Sequence, residues 1–453
     1  MYLGIDHLLQ RIGELAEETH RQYVKVFIIN DFYVDDGLKS CPSEEDAIHL
    51  IRKTQDAMKK HGDLRLHKFA SNSKKVMEAF DSEDLTKDLV NLDFEKDVLT
   101  QRSLGLLWDL RTDTFRFSIC KENKPVTRRG ILSTVNSLYD PLGFISPVTI
   151  CGKIILRKIV ASSLDWDDQL PEHLVREWEV WKSSLSHLEE LHILHVIVPN
   201  LSETISRELL IYCDASEQAI AAVGYLTVFY ADRSSATGFL LGKAKVSPLS
   251  SHPIPRLELC AAVLAVEIAQ VIVEHLQVKL DNINLFSDSR VVLGYIHDET
   301  KRFYTYVANR VAHIRNFSKP SQWFYVRSEA NPADISTRGA LPKDMQNNCW
   351  LSGPKPSSSS AAEQAVDTEN ENNPYPLVNP EVDSEVRSNK VEVKPTSPLR
   401  FDNRKFFHYT SWNGLIRALE TLRRCVRRRQ SMKSEINEAE LYRDTERLVI
   451  KDV

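Results

Sequence analysis

The spacing of apolar and polar positions changes several times along the chain, and each change predicts a different kind of element. Residues 24–29 form a run of β-branched and aromatic side chains that predicts a buried strand, and residues 64–69 predict a second strand. Between them, residues 47–58 carry apolar side chains at helical spacing. The N-terminal region is therefore expected to fold in a mixed α/β style.

A largely helical pattern covers residues 126–190, interrupted by the turn residues 139–143. Three tryptophans lie in this region, at Trp166, Trp178 and Trp181. They are expected to pack in a core rather than to stack on nucleic-acid bases.

From about residue 206 the pattern changes to strands. Residues 209–213 form an apolar strand that ends in Asp214, and residues 219–228 and 237–244 predict two further strands. The short connections between them predict an antiparallel start to a sheet.

Three further acids in the same region lie at predicted strand ends or helix starts. Glu258 follows two prolines in the first turn of a predicted buried helix, where the helix dipole favours a carboxylate. Residues 283–287 form an apolar strand that ends in Asp288, and Asp334 lies near the start of a last helix. Each acid alone is compatible with a capping or turn role. Together with Asp214 they are expected to converge.

Composition limits the class of protein. The 42% of hydrophobic residues can form substantial cores, and the net charge of -5 argues against a uniformly basic nucleic-acid coat. The seven cysteines are odd in number and lack Cys-x-x-Cys spacing, so neither a disulfide framework nor a zinc site is indicated. No apolar run reaches the ~18 residues of a membrane helix, and no signal-peptide pattern is present. We expect a cytoplasmic protein, with access to the nucleus left open, that is neither secreted nor inserted in a membrane.

The C-terminal part is expected to be a disordered linker followed by a basic tail. Proline, serine, glutamate and asparagine dominate residues 352–400, which cannot bury enough apolar surface to offset the entropy of ordering. Beyond residue 401, an apolar helical stripe lies opposite a set of arginines: Leu415, Leu419, Leu422 and Val426 against Arg423, Arg424, Arg427 and Arg428. This amphipathic helix could contact nucleic acid or a partner, or present a solvated charged face.

Adjacent aspartates, Asp35 and Asp36, follow an aromatic-rich segment and precede Gly37, which predicts a hairpin tip. Two metal ions need hard oxygen ligands at close quarters, and adjacent aspartates on a rigid turn meet part of that need. The segment Asp-Phe-Tyr-Val-Asp-Asp-Gly-Leu at 31–38 resembles the active-site motif of reverse transcriptases, above all of the BEL/Pao class of long-terminal-repeat retrotransposons. The resemblance continues through Leu-Gly-Leu-Leu-Trp-Asp at 104–109 and Ser-Leu-Tyr-Asp-Pro-Leu-Gly-Phe-Ile-Ser-Pro at 137–147.

This resemblance implies a fragment of a Pol polyprotein with an α/β, multidomain fold. Its parts would be the end of a reverse transcriptase palm (1–100), a largely helical thumb and connection (101–205), an RNase H-like domain with a mixed five-stranded sheet (206–345), a disordered linker (346–400) and a basic helical tail (401–453) that precedes an integrase. In this family the remaining palm carboxylate lies farther upstream. Asp35 and Asp36 are thus expected to be metal ligands of a palm remnant that lacks polymerase activity of its own.

For the four acids, the resemblance implies an RNase H site. Asp214, Glu258, Asp288 and Asp334 would bind two Mg²⁺ or Mn²⁺ ions and cut the RNA strand of an RNA/DNA hybrid. The 2′-hydroxyl groups and the shape of the hybrid would determine substrate choice. Lys243, Lys245 and Arg338 are expected to contact the nucleic-acid backbone. Many RNases H carry a histidine just before the last acid; here the nearest one upstream is His313, interpreted as structural. The remainder of a Pol polyprotein is a further expected partner.

Two other function classes stay open. The family is also named a Pao retrotransposon peptidase, but Asp288-Ser289-Arg290 and Asp214-Ala215-Ser216 lack the glycine of the Asp-Thr-Gly or Asp-Ser-Gly triplet of aspartic peptidases. A degraded or co-opted, non-catalytic nucleic-acid-binding protein is the other alternative. The presence of all four acids favours the nuclease.

Overall fold

A computed structural model describes most of the chain. The described residues are 9–16, 22–33, 36–86, 100–103, 106–120, 122, 124–248, 252–276, 278–354, 374–387 and a few between 411 and 421. The chain divides into two compact units, Met1–Arg387 and Ser388–Val453. Within the described residues, no helix has the length and apolar character that crossing a membrane requires.

The N-terminal region is mostly helical. Its elements are a helix over 9–16 (α1), α2 (Gln22–Asn30), the two-residue strands β1 (Phe32–Tyr33) and β2 (Asp36–Gly37), α3 (Glu44–Gly62) and α4 (Lys74–Glu78). A small core joins α1, α2 and α3 through Ile12, Ile28 and Ala57. The helix predicted at 47–58 is confirmed within α3, which Ser43 caps by accepting a hydrogen bond from the Asp46 backbone.

Both strands predicted in this region are wrong. Residues 24–29 lie in α2, because Val24, Phe27 and Ile28 have the spacing of one helical face and are buried together. Helical burial against α1 and α3 therefore outweighs the strand preference of β-branched residues. Residues 64–68 lie outside any strand, and Phe69 makes only an isolated bridge with Leu85.

The middle region combines a small sheet with helices. The antiparallel strands are β3 (Thr100–Ser103), β4 (Leu106–Asp109), β5 (Thr114–Arg116) and β6 (Ile193–Leu194), and the helices are α5 (Arg128–Ser137), α6 (Ser146–Ala161) and α7 (Glu172–Ser184). The helical prediction for 126–190 is confirmed. Trp178 and Trp181 are buried as expected, but Trp166 is 39% exposed and lies beneath the Arg128 guanidinium, 4.0 Å from the ring centre.

A mixed five-stranded sheet follows, as predicted. Its elements are β7 (Thr204–Ala215), β8 (Ala219–Tyr230), β9 (Ser235–Val246), α8 (Ile254–His275), β10 (Asn282–Ser287), α9 (Arg290–His297), α10 (Thr305–Phe317), β11 (Trp323–Tyr325), α11 (Asp334–Arg338) and α12 (Cys349–Ser352). The strand order is β11-β10-β7-β8-β9. Strands β7, β8 and β9 are antiparallel, whereas β10 runs parallel to both β7 and β11.

Alternate residues of β7 enter two different cores, as the pleat of a strand requires. Leu209 and Ile211 pack with α8 on one face of the sheet. Leu210 and Tyr212 pack on the other face with Trp178, Trp181 and other residues of the middle region. One hydrophobic core therefore extends across residue 205, where the sequence predicts a domain boundary.

The sequence predicts a disordered linker at 346–400, but the structure shows two ordered stretches in this range, 346–354 and 374–387. Trp350 is fully buried, and its Nε1 donates to the Gly143 carbonyl at 3.0 Å. Residues 374–387, called the strap from here on, contact the five-stranded sheet. The hydroxyl of Tyr375 accepts a hydrogen bond from the backbone of Tyr325 on β11 at 2.9 Å. Tertiary contacts thus order a segment that composition alone marks as disordered; residues 355–373 and 388–400 lie outside the described residues.

Only part of the predicted basic tail is described. Residues 414, 416–419 and 421 are helical, in agreement with the prediction there. Leu415, Leu422, Val426 and the four arginines of the predicted stripe lie outside the described residues.

Candidate active site

Parallel pairing of β7 and β10 brings two of the predicted acids to one edge of the sheet. Cys213 is the register partner of Ser287, so Asp214 and Asp288 follow neighbouring positions on the two strands. The carboxyl ends of parallel strands meet at the same edge, which is where ligands bind in many α/β sheets. Asp214 is 8% exposed, so its carboxylate lies largely out of water.

The other two acids reach this edge from helices. Glu258 lies near the start of α8, although one position beyond the first turn in which the sequence predicts it, and α8 packs against β7 and β8. Asp334 begins α11, and the loop before it is fixed to the end of β7 because the Asn331 amide donates to the Cys213 carbonyl at 2.9 Å. The predicted order of strand, helix, strand and loop-helix is thus present in the fold.

Electrostatic coupling shows that the four carboxylates share one environment. The pKa of Asp214 is raised to about 6, by burial first and then by the charges of Asp288 and Asp334, against the lowering effect of a Thr337 hydrogen bond. Burial likewise raises the pKa of Glu258, with Asp288 and Asp214 adding to the shift. Like charges that are buried or half-buried beside one another are characteristic of functional sites and favour a bound cation.

Each carboxylate also accepts a hydrogen bond from a neighbouring side chain. The donors are Thr337 to Asp214, Ser289 to Glu258, Ser328 to Asp288 at 2.5 Å, and Arg338 to Asp334 at 2.7 Å. Among the described residues, no three His, Cys, Asp or Glu side chains are arranged closely enough to hold a metal ion. The acids therefore converge on one edge, while each is directed towards its own donor.

Sequence reasoning missed two of these donors, Ser328 and Thr337. The available signal is their position on either side of Asp334: Ser328 begins a 3₁₀ turn before it, and Thr337 lies one helical turn after it. Only the tertiary fold shows that their partners are Asp288 and Asp214, which are distant in sequence.

The donor set is compatible with the predicted metal. Carboxylate oxygens are the hard ligands that Mg²⁺ and Mn²⁺ prefer, whereas zinc favours His and Cys. Burial, together with repulsion from Asp288 and Asp334, raises the pKa of Asp214 in the protein alone, and a cation would relieve that repulsion. The residues present fit a magnesium or manganese site once the carboxylates turn away from their donors.

The remaining predicted residues take different positions. Lys243 is exposed on β9, Lys245 forms an ion pair with Glu267 at 3.3 Å, and Arg338 is paired with Asp334. His313 is exposed on α10.

Of the two hairpin acids, Asp35 and Asp36, only Asp36 lies within the described residues, and it is exposed on β2. The charges that raise the pKa of Asp214 and Glu258 come from the sheet-edge acids and not from Asp36.

Comparison with known families assigns the central part of the chain. The family described as Pao retrotransposon-like RNaseH-like domain matches residues 127–289. The chain carries a Pao-type retrotransposon RNase H-like domain. The matched part of this RNase H-like domain includes α5, α6 and α7 as well as Asp214, Glu258 and Asp288, so it extends across the shared hydrophobic core.

Two solved structures are similar to part of the chain. RNase H1 from Halobacterium salinarum NRC-1 is 15% identical and covers 28% of this chain and 92% of its own, with a TM-score of 0.20. The N-terminal RNase H domain of a Mycobacterium tuberculosis protein, as a fusion with maltose binding protein, is 14% identical and covers 29% of this chain and 94% of its own, with a TM-score of 0.21. No curated protein matches the chain.

Proposed function

We propose that the RNase H-like domain is a metal-dependent endonuclease that cleaves the RNA strand of RNA/DNA hybrids. The observation that supports this most directly is the convergence of Asp214, Glu258, Asp288 and Asp334 on one sheet edge, where burial and the neighbouring acids raise the pKa of Asp214 and of Glu258. Carboxylates held partly out of water destabilise the fold unless they are paired or bind a cation, and groups of this kind cluster at functional sites.

In this proposal the four carboxylates hold two Mg²⁺ or Mn²⁺ ions, which polarise the scissile phosphate and activate water when bound. The chain itself positions the ligands. Ser328 and Thr337 hold Asp288 and Asp214 in the protein alone, and their hydroxyl groups are free to rotate when the carboxylates turn to the ions. Selection of RNA would come from the 2′-hydroxyl groups, because these distinguish an RNA strand from DNA.

The hairpin at Asp36 supports no polymerase proposal for this chain by itself. The strands that carry it have two residues each, and Asp36 is exposed. A two-stranded hairpin of this length offers little support for rigid metal ligands. We propose that any polymerase role needs the remainder of a Pol polyprotein as a partner.

The test is cleavage of a hybrid with labelled RNA by the full chain in Mg²⁺ or Mn²⁺, beside Asp288→Asn and Asp298→Asn. Asp298 follows α9 and caps a turn through the Thr300 and Lys301 backbone, so the second variant makes the same chemical change outside the site. We expect cleavage by the parent and by Asp298→Asn, and none by Asp288→Asn. A folded parent that binds the hybrid without cutting it would support a non-catalytic binding protein instead.

A further inference from the structure

A second polar site lies beside the edge strand β9. A cavity of 590 Å³ is bounded by α5, α6, β9 and α8, and its wall includes the side chains of Lys153 and Lys243. The turn that precedes α6 closes one end, where the Gly242 backbone donates to the Leu142 carbonyl at 2.8 Å. The cavity is therefore built jointly by the middle region and the sheet.

The acids on the wall of this cavity already have partners. The Asp140 carboxylate accepts hydrogen bonds from the Phe144 and Ile145 backbones, at 2.9 and 2.8 Å, and so stabilises the turn that leads into α6. Glu267 forms the ion pair with Lys245. Neither carboxylate lies within ion-pair distance of Lys153 or Lys243.

The two lysines, by contrast, make no hydrogen bond or ion pair with any described residue. Burial lowers the pKa of Lys153, Asp140 raises it and the charge of Lys243 lowers it again, so the two ammonium groups act on each other. Two neighbouring cations that form no ion pair of their own favour an anion between them. Lysine is a common ligand of phosphate, as a compact point charge.

We propose that Lys153 and Lys243 bind a backbone phosphate of the nucleic acid whose RNA strand is cut at the sheet edge. This inference rests on the proposed nuclease function. Lys243 is the register partner of Ala222, which in turn pairs with Cys213 beside Asp214. Two strand spacings correspond to about 10 Å, a distance that a nucleic-acid helix bound at the acids easily spans.

The site would bind substrate without reading its sequence. A phosphate contact fixes the position of a helix and contributes a salt-dependent part of the affinity. Since Lys153 comes from α6 and Lys243 from β9, the middle region would contribute directly to substrate binding.

The test measures binding in the absence of divalent metal, so it does not depend on cleavage. The affinity of the full chain for a labelled RNA/DNA hybrid is measured at several salt concentrations, beside the double variant Lys153→Gln/Lys243→Gln. We expect the double variant to bind about five- to ten-fold more weakly and to lose about one unit of the salt slope. Lys158→Gln, on α6 but paired with Glu177 at 2.6 Å, is the control and should match the parent within about two-fold.

Charge-conserving variants and free phosphate complete the design. Lys153→Arg/Lys243→Arg should restore binding, which a purely structural role of the lysines would not predict. A second arm follows competition by inorganic phosphate, which distinguishes a free ion from a backbone phosphate as the ligand.

Unchanged hybrid affinity and salt slope in the double glutamine variant would overturn the proposal, even if inorganic phosphate binds. So would a parent that binds no hybrid at all. A parent that binds the hybrid but does not cleave it would count against the proposed nuclease function. Weaker binding by the double glutamine variant would still support this phosphate site in that case.

Discussion

The chain contains two acidic motifs, and they differ in what surrounds them. Asp36 lies on a two-residue strand and is exposed to solvent. Asp214 ends a long strand at 8% exposure, beside the charges of Asp288 and Asp334. An acid gains unusual chemistry when the fold removes it from water and places like charges beside it. The hairpin has the more recognisable sequence, but the sheet edge has the environment of a reactive site.

The strongest test of this comparison replaces one acid of each motif in a separate variant. Glu258→Gln should reduce cleavage of the hybrid at least about a thousand-fold, a change of ~4 kcal/mol in the barrier, because it removes one carboxylate of the coupled set. Asp36→Asn should leave the rate unchanged. The measurement is the initial rate under saturating metal. Equal losses in both variants would show that the hairpin belongs to the same site.

The next test separates the cores of the two regions. Trp350→Ala removes a fully buried indole and its hydrogen bond to Gly143, and should lower the free energy of unfolding by about 3–5 kcal/mol. Phe27→Ala acts on the separate N-terminal core. In this variant, the urea concentration at which cleavage activity is lost should therefore equal that of the parent. Both variants are compared with the parent by urea unfolding, with cleavage activity as the probe of the folded state. A common shift would mean that the two cores are coupled.

A pH series tests the buried charge itself. The pKa of Asp214 is raised to about 6 in the folded protein, against about 3.9 when unfolded, so the folded state binds more protons between these values. Stability should therefore fall as pH rises from about 4 to 7, by an amount on the order of 2–3 kcal/mol from this group. Asp214→Asn should reduce that fall.

The pH series has an internal control. Asp140, whose pKa is also raised to about 6, contributes equally to parent and variant. Added Mg²⁺ should flatten the dependence of stability on pH in the parent but not in Asp214→Asn, because a cation stabilises the ionised Asp214 carboxylate. An identical pH dependence in parent and Asp214→Asn, from denaturant midpoints at each pH, would contradict the raised pKa of Asp214.

The smallest expected effect concerns the strap. The side chain of Glu385 is 7% exposed and forms an ion pair with Arg256 at 2.5 Å, two residues before Glu258. Glu385→Gln should cost about 1–2 kcal/mol of stability, since it weakens a charge-assisted hydrogen bond. Chemical unfolding measures this, with exposed Glu381→Gln on the same segment as the control. Equal stability of the two variants would show that the strap contributes little.

Much of the sheet and its acids could be predicted from local sequence. Strands ending in Asp214 and Asp288 are apolar runs with clear ends, and Glu258 follows two prolines, so both element type and position were accessible. Residues 24–29 form a helix although their β-branched composition predicts a strand, because burial at Val24, Phe27 and Ile28 has helical spacing.

Other features depend on contacts between distant residues. The hydroxyl donors Ser328 and Thr337 and the burial of Trp350 follow from pairings across the fold that no local pattern specifies. The strap has the composition of a linker and is ordered only through its partners, such as Asp383, which accepts a hydrogen bond from Tyr295 at 2.6 Å.

The close fit of Trp350 against Gly242 has a consequence for how such elements can evolve. A β-carbon at Gly242 would lie 2.4 Å from the indole, and the Tyr225 hydroxyl donates to the Trp350 carbonyl at 2.8 Å. A recombination event with its crossover near residue 205 would separate these partners from Gly143, to which the indole donates. Recombination between related retrotransposons should therefore yield a functional protein when the helices of the middle region and the five-stranded sheet are inherited together.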